Sequence, residues 1–264
     1  MSLLVKSSRT GRDIVQVTPQ SAGWRYVGFS AHRLARGETM ALQTGEREYC
    51  LVILGGVVSV QVGAYQWREI GGRLGVFDDK PAFSVYIPYH QSLSITADSA
   101  SEVALCSAPG HGELPPRLIA PAHVAQSVRG QGSNTRYVSD ILPQSAAADH
   151  LLVVEVRTPG GHSSSYPPHK HDTDNLPQES FLEETYYHRL DPEQGFAFQR
   201  VYVDDRSLDE SMAVENHDVV MVPRGYHPVV VPHGYQSYYL NVMAGPTRSW
   251  HFRNDPAHEW MLQR

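Results

Sequence analysis

Short apolar runs separated by turn-forming residues extend along the whole chain. In the first half these runs are VGFSAHRLA, YCLVILGGVVSVQVG, SVYIPYH, LSITA and EVALCSA. Their β-branched and aromatic residues favour strands, and Gly, Pro and Ser interrupt them. The LGG sequence at residues 54–56 predicts a hairpin turn between two strands. Regular short strands with such turns are typical of an all-β sandwich or barrel.

The second half repeats this pattern with LLVVEVRTP, GFAFQRVYVDD, LDESMAVENHDVVMVPRGYHPVVVP and SYYLNVMAG, and PAHEWMLQR predicts a short terminal helix. Two pairs of segments echo each other. REYCLVILGG resembles EETYYHRLDP, and VYIPYHQSLSI resembles VMVPRGYHPVVV. We therefore predict two copies of one small β-barrel, at residues 1–112 and 147–264, joined by a turn-rich connection at 113–146.

Composition narrows the class of protein. The 264 residues have a net charge of -6 with the two signs interspersed, and no basic block favours nucleic acid. Cys50 and Cys106 lie in apolar runs, which favours buried thiols over a disulfide. MSLLVKSSRTGRD lacks the apolar core of a signal peptide, and no run reaches the roughly 18 apolar residues of a membrane span. We expect a cytoplasmic protein without nucleic-acid or membrane partners, and the apolar β surfaces of the first half are compatible with a homo-oligomer.

Candidate chemistry is concentrated in the segment PPHKHDTDNLPQESFLEETYYH. His169 and His171 are separated by one residue, so on an extended strand both imidazoles project from one face. Glu183 and Glu184 lead the next predicted strand, and His227 follows a Pro-x-Gly turn. A chance surface HxH is the alternative, but the combined pattern is typical of a divalent-metal site with open positions. The two histidines of the HxH, one of the glutamates and His227 are the predicted ligands.

The order of HxH, glutamate and later histidine resembles the two cupin motifs. The runs YPPHKHD, ESFLEETYYHRL, GFAFQRVY, VPRGYHPV and YYLNVMAGPTR resemble more closely the 5-deoxy-glucuronate isomerase family of bacterial myo-inositol degradation. This resemblance covers essentially the whole chain. The family is similar to the 4-deoxy-L-threo-5-hexosulose-uronate ketol-isomerases of pectin breakdown, which are also double cupins. The resemblance implies an all-β double cupin with two jelly-roll barrels.

Carried onto this chain, the resemblance implies that His169, His171, Glu184 and His227 hold the metal. Glu184 is preferred over Glu183 because Thr-Tyr-Tyr follows it. The gap between the HxH and the glutamate is longer than usual for cupins, so DTDNLPQES has to bulge out of the strand and return.

The first half departs from the motif. QTG at residues 43–45 stands where the HxH is expected, although Glu48 and His90 could mimic the other two positions. We therefore expect no second metal site, and a role for the first barrel as scaffold or interface.

The resemblance implies conversion of 5-deoxy-D-glucuronate to 5-dehydro-2-deoxy-D-gluconate, an aldose-to-ketose isomerisation through an ene-diolate. One divalent transition metal would support it without an organic cofactor, and zinc, manganese, nickel and iron(II) all suit these ligands. Two alternatives are a cupin iron(II) oxygenase, which uses the same ligands, and a non-catalytic double cupin that binds or stores sugars.

Proton transfer needs a further group near the metal. Tyr186 and His188 share the strand face of Glu184, which makes both candidate catalytic residues. Tyr226, Tyr238 and Tyr239 are further candidates, whereas core packing is the commoner role of a single tyrosine.

The substrate carboxylate calls for an arginine that can make a bidentate contact. Arg200 lies within the predicted strand AFQRVY and is the first candidate, followed by Arg189 and Arg224. A solvent-facing arginine on a half-exposed strand is the alternative.

Overall fold

The computed structural model describes residues 2–263, and strands make up most of them. The strands are Leu4–Val5 (β1), Asp13–Val17 (β2), Gly28–Leu34 (β3), Thr39–Gln43 (β4), Arg47–Val62 (β5), Tyr65–Arg73 (β6), Ser84–Ile87 (β7), Ser92–Ala97 (β8), Ser101–Pro109 (β9), Arg117–Ile119 (β10), Ala125–Arg129 (β11), Arg136–Leu142 (β12), Leu152–Thr158 (β13), Ser163–Ser164 (β14), His169–Lys170 (β15), Asp172–Asn175 (β16), Glu179–Phe181 (β17), Glu183–Asp191 (β18), Phe196–Tyr202 (β19), Asp209–Glu215 (β20), Val219–Val222 (β21), Val229–Val230 (β22), Gln236–Ala244 (β23) and Arg253–Asn254 (β24).

Helix in the described residues is limited to one α-helical turn, Pro19–Ala22 (α1), and the 3-10 segments Pro121–His123, Gly132–Asn134 and Glu259–Gln263. The last of these lies where a short terminal helix is predicted. None of the helices within residues 2–263 has the length and apolar character needed to cross a bilayer.

Contacts along the chain define two compact units. The N-terminal unit contains Ser8–Ala125 and Ser139–Val153. The C-terminal unit contains residues 2–7, Gln126–Val138 and residues 154–263.

These bounds differ from the ranges 1–112, 113–146 and 147–264, which stay a prediction of the domain limits. One physical reason for the difference is β1, which pairs with β21 through Leu4 opposite Val220 and so joins the C-terminal unit.

The N-terminal unit is built on one nine-stranded sheet. Its main path is β10-β7-β5-β9-β3-β2, and β6, β8 and β4 extend it from β5. Alternation places the apolar residues inside, as in β8, where Leu93, Ile95 and Ala97 are buried and the residues between them are more exposed. Leu51, Ile53 and other apolar side chains complete this core.

The hairpin predicted at residues 54–56 is wrong. β5 continues through these glycines, and its register against β9 shifts between Ile53 and Gly55. Gly56 has a φ of 86°, and a Cβ there would meet the carbonyl oxygen of Ala100. The glycines therefore form a bulge, which lets the first part of β5 pair with β7 and β9 and the second part with β6 and β8.

The C-terminal unit contains most of a seven-stranded sheet of order β1-β21-β18-β23-β13-β12-β11 and a four-stranded sheet of order β14-β22-β19-β20. β18 lies between β21 and β23, and its first six residues are all buried. Glu184 is opposite Val222 and Met243, and Tyr186 is opposite Val220 and Asn241. A central strand covered on both faces explains why polar side chains of β18 point into the interior.

Candidate metal centre

Three of the predicted ligands converge in the C-terminal unit. His169 is the first residue of β15, His171 directly follows that strand, and His227 lies just before β22. One nitrogen of each ring can be chosen so that all three lie within 4.8 Å of one another. His171 and His227 are buried, whereas His169 is partly exposed. This triad could hold a metal ion.

Glu184 is the carboxylate nearest to the triad. Its Oε2 lies 3.0 Å from His171 Nε2 and 3.3 Å from His227 Nε2. Glu183 precedes it on β18, so its side chain leaves the opposite face of that strand. Of the two glutamates that the sequence left open, Glu184 therefore faces the imidazoles.

The hydrogen bonds of the rings orient their free nitrogens. His171 Nδ1 donates to the carbonyl oxygen of Leu182 at 3.1 Å, and His227 Nδ1 donates to that of Gly225 at 2.8 Å, because a carbonyl can only accept. In a neutral ring, Nε2 then carries a lone pair, and in both rings it faces the Glu184 carboxylate. A protonated His171 instead donates from Nε2 to Glu184 Oε2 at 3.0 Å, so a positive charge, either a proton or a cation, suits this place. His227 Nε2 is buried and has no hydrogen-bond partner in the described structure. Lone pairs facing a carboxylate repel unless a cation lies between them, so this donor set fits a metal ion.

The pKa values agree with that arrangement. Burial lowers the pKa of His227 to about 4. Burial, followed by the charges of His227 and His171, holds the pKa of His169 well below its usual value. Burial also lowers the pKa of His171, but its hydrogen bond and charge interaction with Glu184 outweigh this, and the pKa is raised. The place between His171 and Glu184 thus favours a positive charge, while the other two rings offer neutral nitrogens.

The inserted segment DTDNLPQES forms a hairpin. β16 pairs with β17 through Asp172 opposite Phe181 and Asn175 opposite Glu179. Immediately after it, Leu182 N donates to the carbonyl oxygen of His171 at 3.0 Å. The chain thus leaves after the HxH and returns beside it, as the long gap predicts, which brings Glu184 to the imidazoles.

A charged network behind the ligands was not predicted from the sequence. Lys170 Nζ lies 2.9 Å from Asp172 Oδ1, and Asp172 Oδ2 accepts a hydrogen bond from Gly225 N at 2.8 Å. Asp172 thereby ties the HxH segment to the turn before His227. The alternation of charge in HKHD was the available signal for this brace.

A cavity of about 530 Å³ opens beside the cluster. Of the four predicted ligands, His169 and Glu184 line this cavity. The other polar side chains on its wall are Arg129, Gln131, Asn134, Arg136, Ser165, Tyr166, Tyr186, Tyr239, Asn241, Trp250 and Asn254. Such a concave site with convergent polar groups is typical of small-molecule binding.

Tyr186, a predicted catalytic residue, lines this cavity. Its hydroxyl lies 2.9 Å from Ser165 Oγ. Burial, followed by the charge of Glu184, raises its pKa well above the usual value, so the phenol stays protonated. Tyr239 also lines the cavity, and burial raises its pKa too.

His188 lies behind these tyrosines and does not line the cavity. Its Nε2 is 2.9 Å from Gln199 Oε1, and burial lowers its pKa to about 4. Its ring centroid is 6.0 Å from that of Tyr186 and 5.9 Å from that of Tyr239. The arrangement therefore places His188 next to the tyrosines rather than next to a ligand in the cavity.

The remaining tyrosine candidates face other partners. Tyr226 donates its hydroxyl hydrogen to Asp204, and Tyr238 donates to Glu155. Neither lines the cavity.

Arg200, the first candidate for binding the substrate carboxylate, does not line the cavity. Arg200 is exposed and makes a bidentate pair with Asp209, with Nε and Nη2 each 2.7 Å from a carboxylate oxygen. On β19 it alternates with the buried residues Gln199 and Val201, so it faces outward. Arg189 and Arg224 do not line the cavity either.

The N-terminal unit contributes no second cluster of this kind among the described residues. Glu48 is buried, whereas the His90 side chain is 55% exposed and lies 3.2 Å from Glu46.

Solved structures place this architecture in a class. An oxalate decarboxylase from Lactobacillus farciminis superposes with a TM-score of 0.68 at 12% identity, covering 100% of this chain and 91% of that one. A Bacillus subtilis oxalate decarboxylase mutant gives 0.66 at 12% identity, with 96% and 80% covered. Oxalate decarboxylase is a bicupin, and the chain has the predicted all-β double-cupin fold.

The particular family follows from sequence. The model of the KduI/IolB family matches residues 3–261, and the chain belongs to this family. It is 53% identical over 266 residues to the 5-deoxy-glucuronate isomerase of Geobacillus kaustophilus, covering 100% of this chain and 96% of that protein. The 5-deoxy-glucuronate isomerase of Bacillus subtilis is 54% identical over 250 residues, with 94% and 92% covered. The crystal structure of an IolB-like protein from Salmonella typhimurium superposes with a TM-score of 0.98 at 52% identity, covering 99% of this chain and 100% of that one. The predicted family is confirmed, and the chain is an isomerase.

Proposed function

We propose that the chain is a metal-dependent aldose–ketose isomerase that converts 5-deoxy-D-glucuronate to 5-dehydro-2-deoxy-D-gluconate. The observation that carries the proposal is the cluster of three imidazoles and Glu184 at the wall of the cavity. The names of the relatives supply the substrate.

The reaction moves protons and leaves every heavy atom in place. The proton on C2 is transferred to C1, and the hydroxyl proton on O2 is transferred to O1, so substrate and product have the same mass. The barrier lies in removing a carbon-bound proton and in stabilising the ene-diolate that results.

His169, His171, Glu184 and His227 are the residues that would hold the cation. When bound there, a divalent transition metal would polarise the substrate carbonyl and offset the negative charge of the ene-diolate. Zinc, manganese, nickel and iron(II) all suit three imidazoles and one carboxylate. The main-chain carbonyls that accept from His171 and His227 keep both rings in the tautomer that presents Nε2.

Tyr186 relays the hydroxyl proton: it donates its phenolic proton to O1 and recovers a proton from the O2 hydroxyl. Its hydroxyl is oriented by Ser165, it shares the strand face of Glu184, and its raised pKa keeps the proton on the phenol until an oxygen develops charge. Tyr239 is the second hydroxyl available in the cavity. His188 orients the two rings from behind rather than touching the substrate.

An anaerobic assay tests the proposal. Protein loaded with each metal in turn is mixed with 5-deoxy-D-glucuronate labelled with deuterium at C2, and the product is followed by NMR and mass spectrometry. A ketose of unchanged carbon skeleton formed without oxygen, with activity lost on chelation and restored by metal, is the expected result. A requirement for O2 with addition of oxygen to the product would instead identify an iron oxygenase, and binding without turnover a non-catalytic sugar-binding protein.

The proposal includes a cytoplasmic site of action, with which the two buried free thiols Cys50 and Cys106 agree. A homo-oligomer stays a prediction.

A further inference from the structure

Arg136 is a half-buried cation that has no acidic partner among the described residues. Its Nη1 donates to the carbonyl oxygens of Asn134 at 3.0 Å and Tyr166 at 3.4 Å, and these are its hydrogen bonds within residues 2–263. Burial lowers its pKa, and the nearby positive charge of Arg129 adds to that effect. Main-chain carbonyls hold the guanidinium but do not neutralise it, so its environment favours an anion.

The cavity has a cationic end. Its charged lining residues are Arg129, Arg136 and Glu184, and Glu184 is turned to the imidazoles. The Arg129 guanidinium stacks 5.5 Å from the ring centroid of Trp250. Arg136 therefore presents the cation best placed to meet a ligand in the cavity.

The hairpin between β11 and β12 holds Arg136 in this position. Asn134 Nδ2 donates to the carbonyl oxygen of Tyr166 at 3.0 Å, which fixes the turn against the segment that leads to the HxH. Gly130 has a φ of 78°, and a Cβ there would lie 2.6 Å from Arg136 Nη1. Glycine thus leaves the space in which the guanidinium lies across the hairpin.

We propose that Arg136 binds the carboxylate of the substrate and so selects uronates over neutral sugars. This inference rests on the proposed function and deepens it. The substrate has its aldehyde at one end and its carboxylate at the other, and the cavity wall carries the histidine–glutamate cluster and Arg136. One Nη1 is engaged by carbonyls, which leaves Nε and Nη2 as the parallel pair of donors that a carboxylate accepts.

The test compares Arg136→Gln and Arg136→Lys on two substrates, 5-deoxy-D-glucuronate and the neutral 5-deoxy-D-glucose. We expect Arg136→Gln to lower kcat/KM for the uronate by about 30- to 100-fold, mainly through KM, and to change that for the neutral sugar less than about twofold. Arg136→Lys keeps the charge but not the fork, so it should recover part of the loss.

Arg157→Gln is the matched control. Arg157 is a half-buried arginine on β13, on the strand face opposite Val154 and Val156, which line the cavity. Replacing Arg157 should leave kcat/KM for both substrates unchanged.

An equal loss on both substrates would overturn the proposal, because it would make Arg136 a structural residue only. If the wild type isomerises neither substrate, the proposed function fails, and carboxylate binding is judged separately. The probe is then the alcohol obtained by reducing the aldehyde of 5-deoxy-D-glucuronate, measured by calorimetry. Binding weakened at least about tenfold in Arg136→Gln supports the inference, whereas equal affinity, or no binding to the wild type, contradicts it.

Discussion

Glu48 and Glu184 are each the second residue of a strand that is paired on both sides, β5 and β18, but they meet different partners. Glu48 accepts hydrogen bonds from the main-chain N–H groups of Asp149, His150 and Leu151 at 2.6–2.8 Å and from the Tyr86 hydroxyl at 2.7 Å. Glu184 instead faces the Nε2 atoms of His171 and His227, and His227 Nε2 has no hydrogen-bond partner among the described residues. A carboxylate that accepts from four donors is a structural group, whereas Glu184, which faces two imidazole nitrogens, is the carboxylate that we propose as a cation ligand.

The side chains that follow the two glutamates on the same strand face also differ, being apolar after Glu48 and polar after Glu184. Two and four residues after Glu48 stand the buried apolar residues Cys50 and Val52. At the same spacing after Glu184 stand Tyr186 and His188. Similar strand arrangements therefore hold a packed core in one unit and, in our proposal, a chemical site in the other, and side chains on a single strand face make the difference.

The largest expected effect comes from replacing the proposed metal ligands. Replacing His171 or Glu184 by Ala removes a cation ligand, and we expect turnover of 5-deoxy-D-glucuronate to fall at least about 10³-fold. Circular dichroism should match that of the wild type. Activity that survives either change would contradict the role of the cluster.

Tyr186→Phe removes the donor but keeps the ring. We expect kcat to fall about 10²-fold with KM little changed, because the hydroxyl acts on the developing charge. Steady-state kinetics measure this. Tyr226→Phe, whose hydroxyl serves Asp204 outside the cavity, is the matched control. A similar loss in both variants would show a general packing effect.

Glu48→Gln should lower stability and leave activity unchanged, whereas the ligand variants should lose activity and keep their fold. The amide keeps the size but sets an NH₂ group against buried main-chain N–H donors, so we expect a loss of about 3 kcal/mol in the free energy of unfolding. Activity per folded molecule should stay within about twofold. Urea unfolding and titration of active molecules separate the two effects, and an inactive but fully stable variant would refute the structural role.

The smallest expected effect is a pH dependence from His188. Its pKa is about 4 in the folded protein, below the ordinary value near 6.5, so the unfolded chain binds the proton more readily. The contribution of neutral His188 to the free energy of unfolding is complete above about pH 6.5 and is lost as the pH falls toward 4. Between pH 7.5 and 5.5 we expect a loss of about 1 kcal/mol that His188→Gln lacks. Equal slopes of unfolding free energy against pH in both proteins would contradict this.

The all-β fold could be predicted from the sequence because the alternation of buried and exposed residues along a strand is a local pattern. The apolar residues of β8 and the buried run of β18 can be recognised from a few neighbours. The HxH spacing was equally local, and the long gap before Glu184 predicted an excursion that the β16–β17 hairpin makes.

Other features depend on tertiary contacts and could not be predicted. Glycines at 55–56 suit a hairpin or a bulge, and only the partners of β5 decide between them. Alternation showed that Arg200 faces one side of its strand but not which side. Arg136 lies in a turn-rich segment typical of a solvated loop, and only the folded chain brings it to the cavity.

Metal content tests the central claim most directly. Wild type, Glu184→Ala and Glu48→Gln are purified in parallel, dialysed against a buffered chelator and analysed by mass spectrometry for transition metals. The account predicts about one metal ion per chain in the wild type and in Glu48→Gln, and strong depletion in Glu184→Ala. Equal metal content in all three proteins, or depletion in Glu48→Gln alone, would contradict the distinction between a bracing and a ligating glutamate.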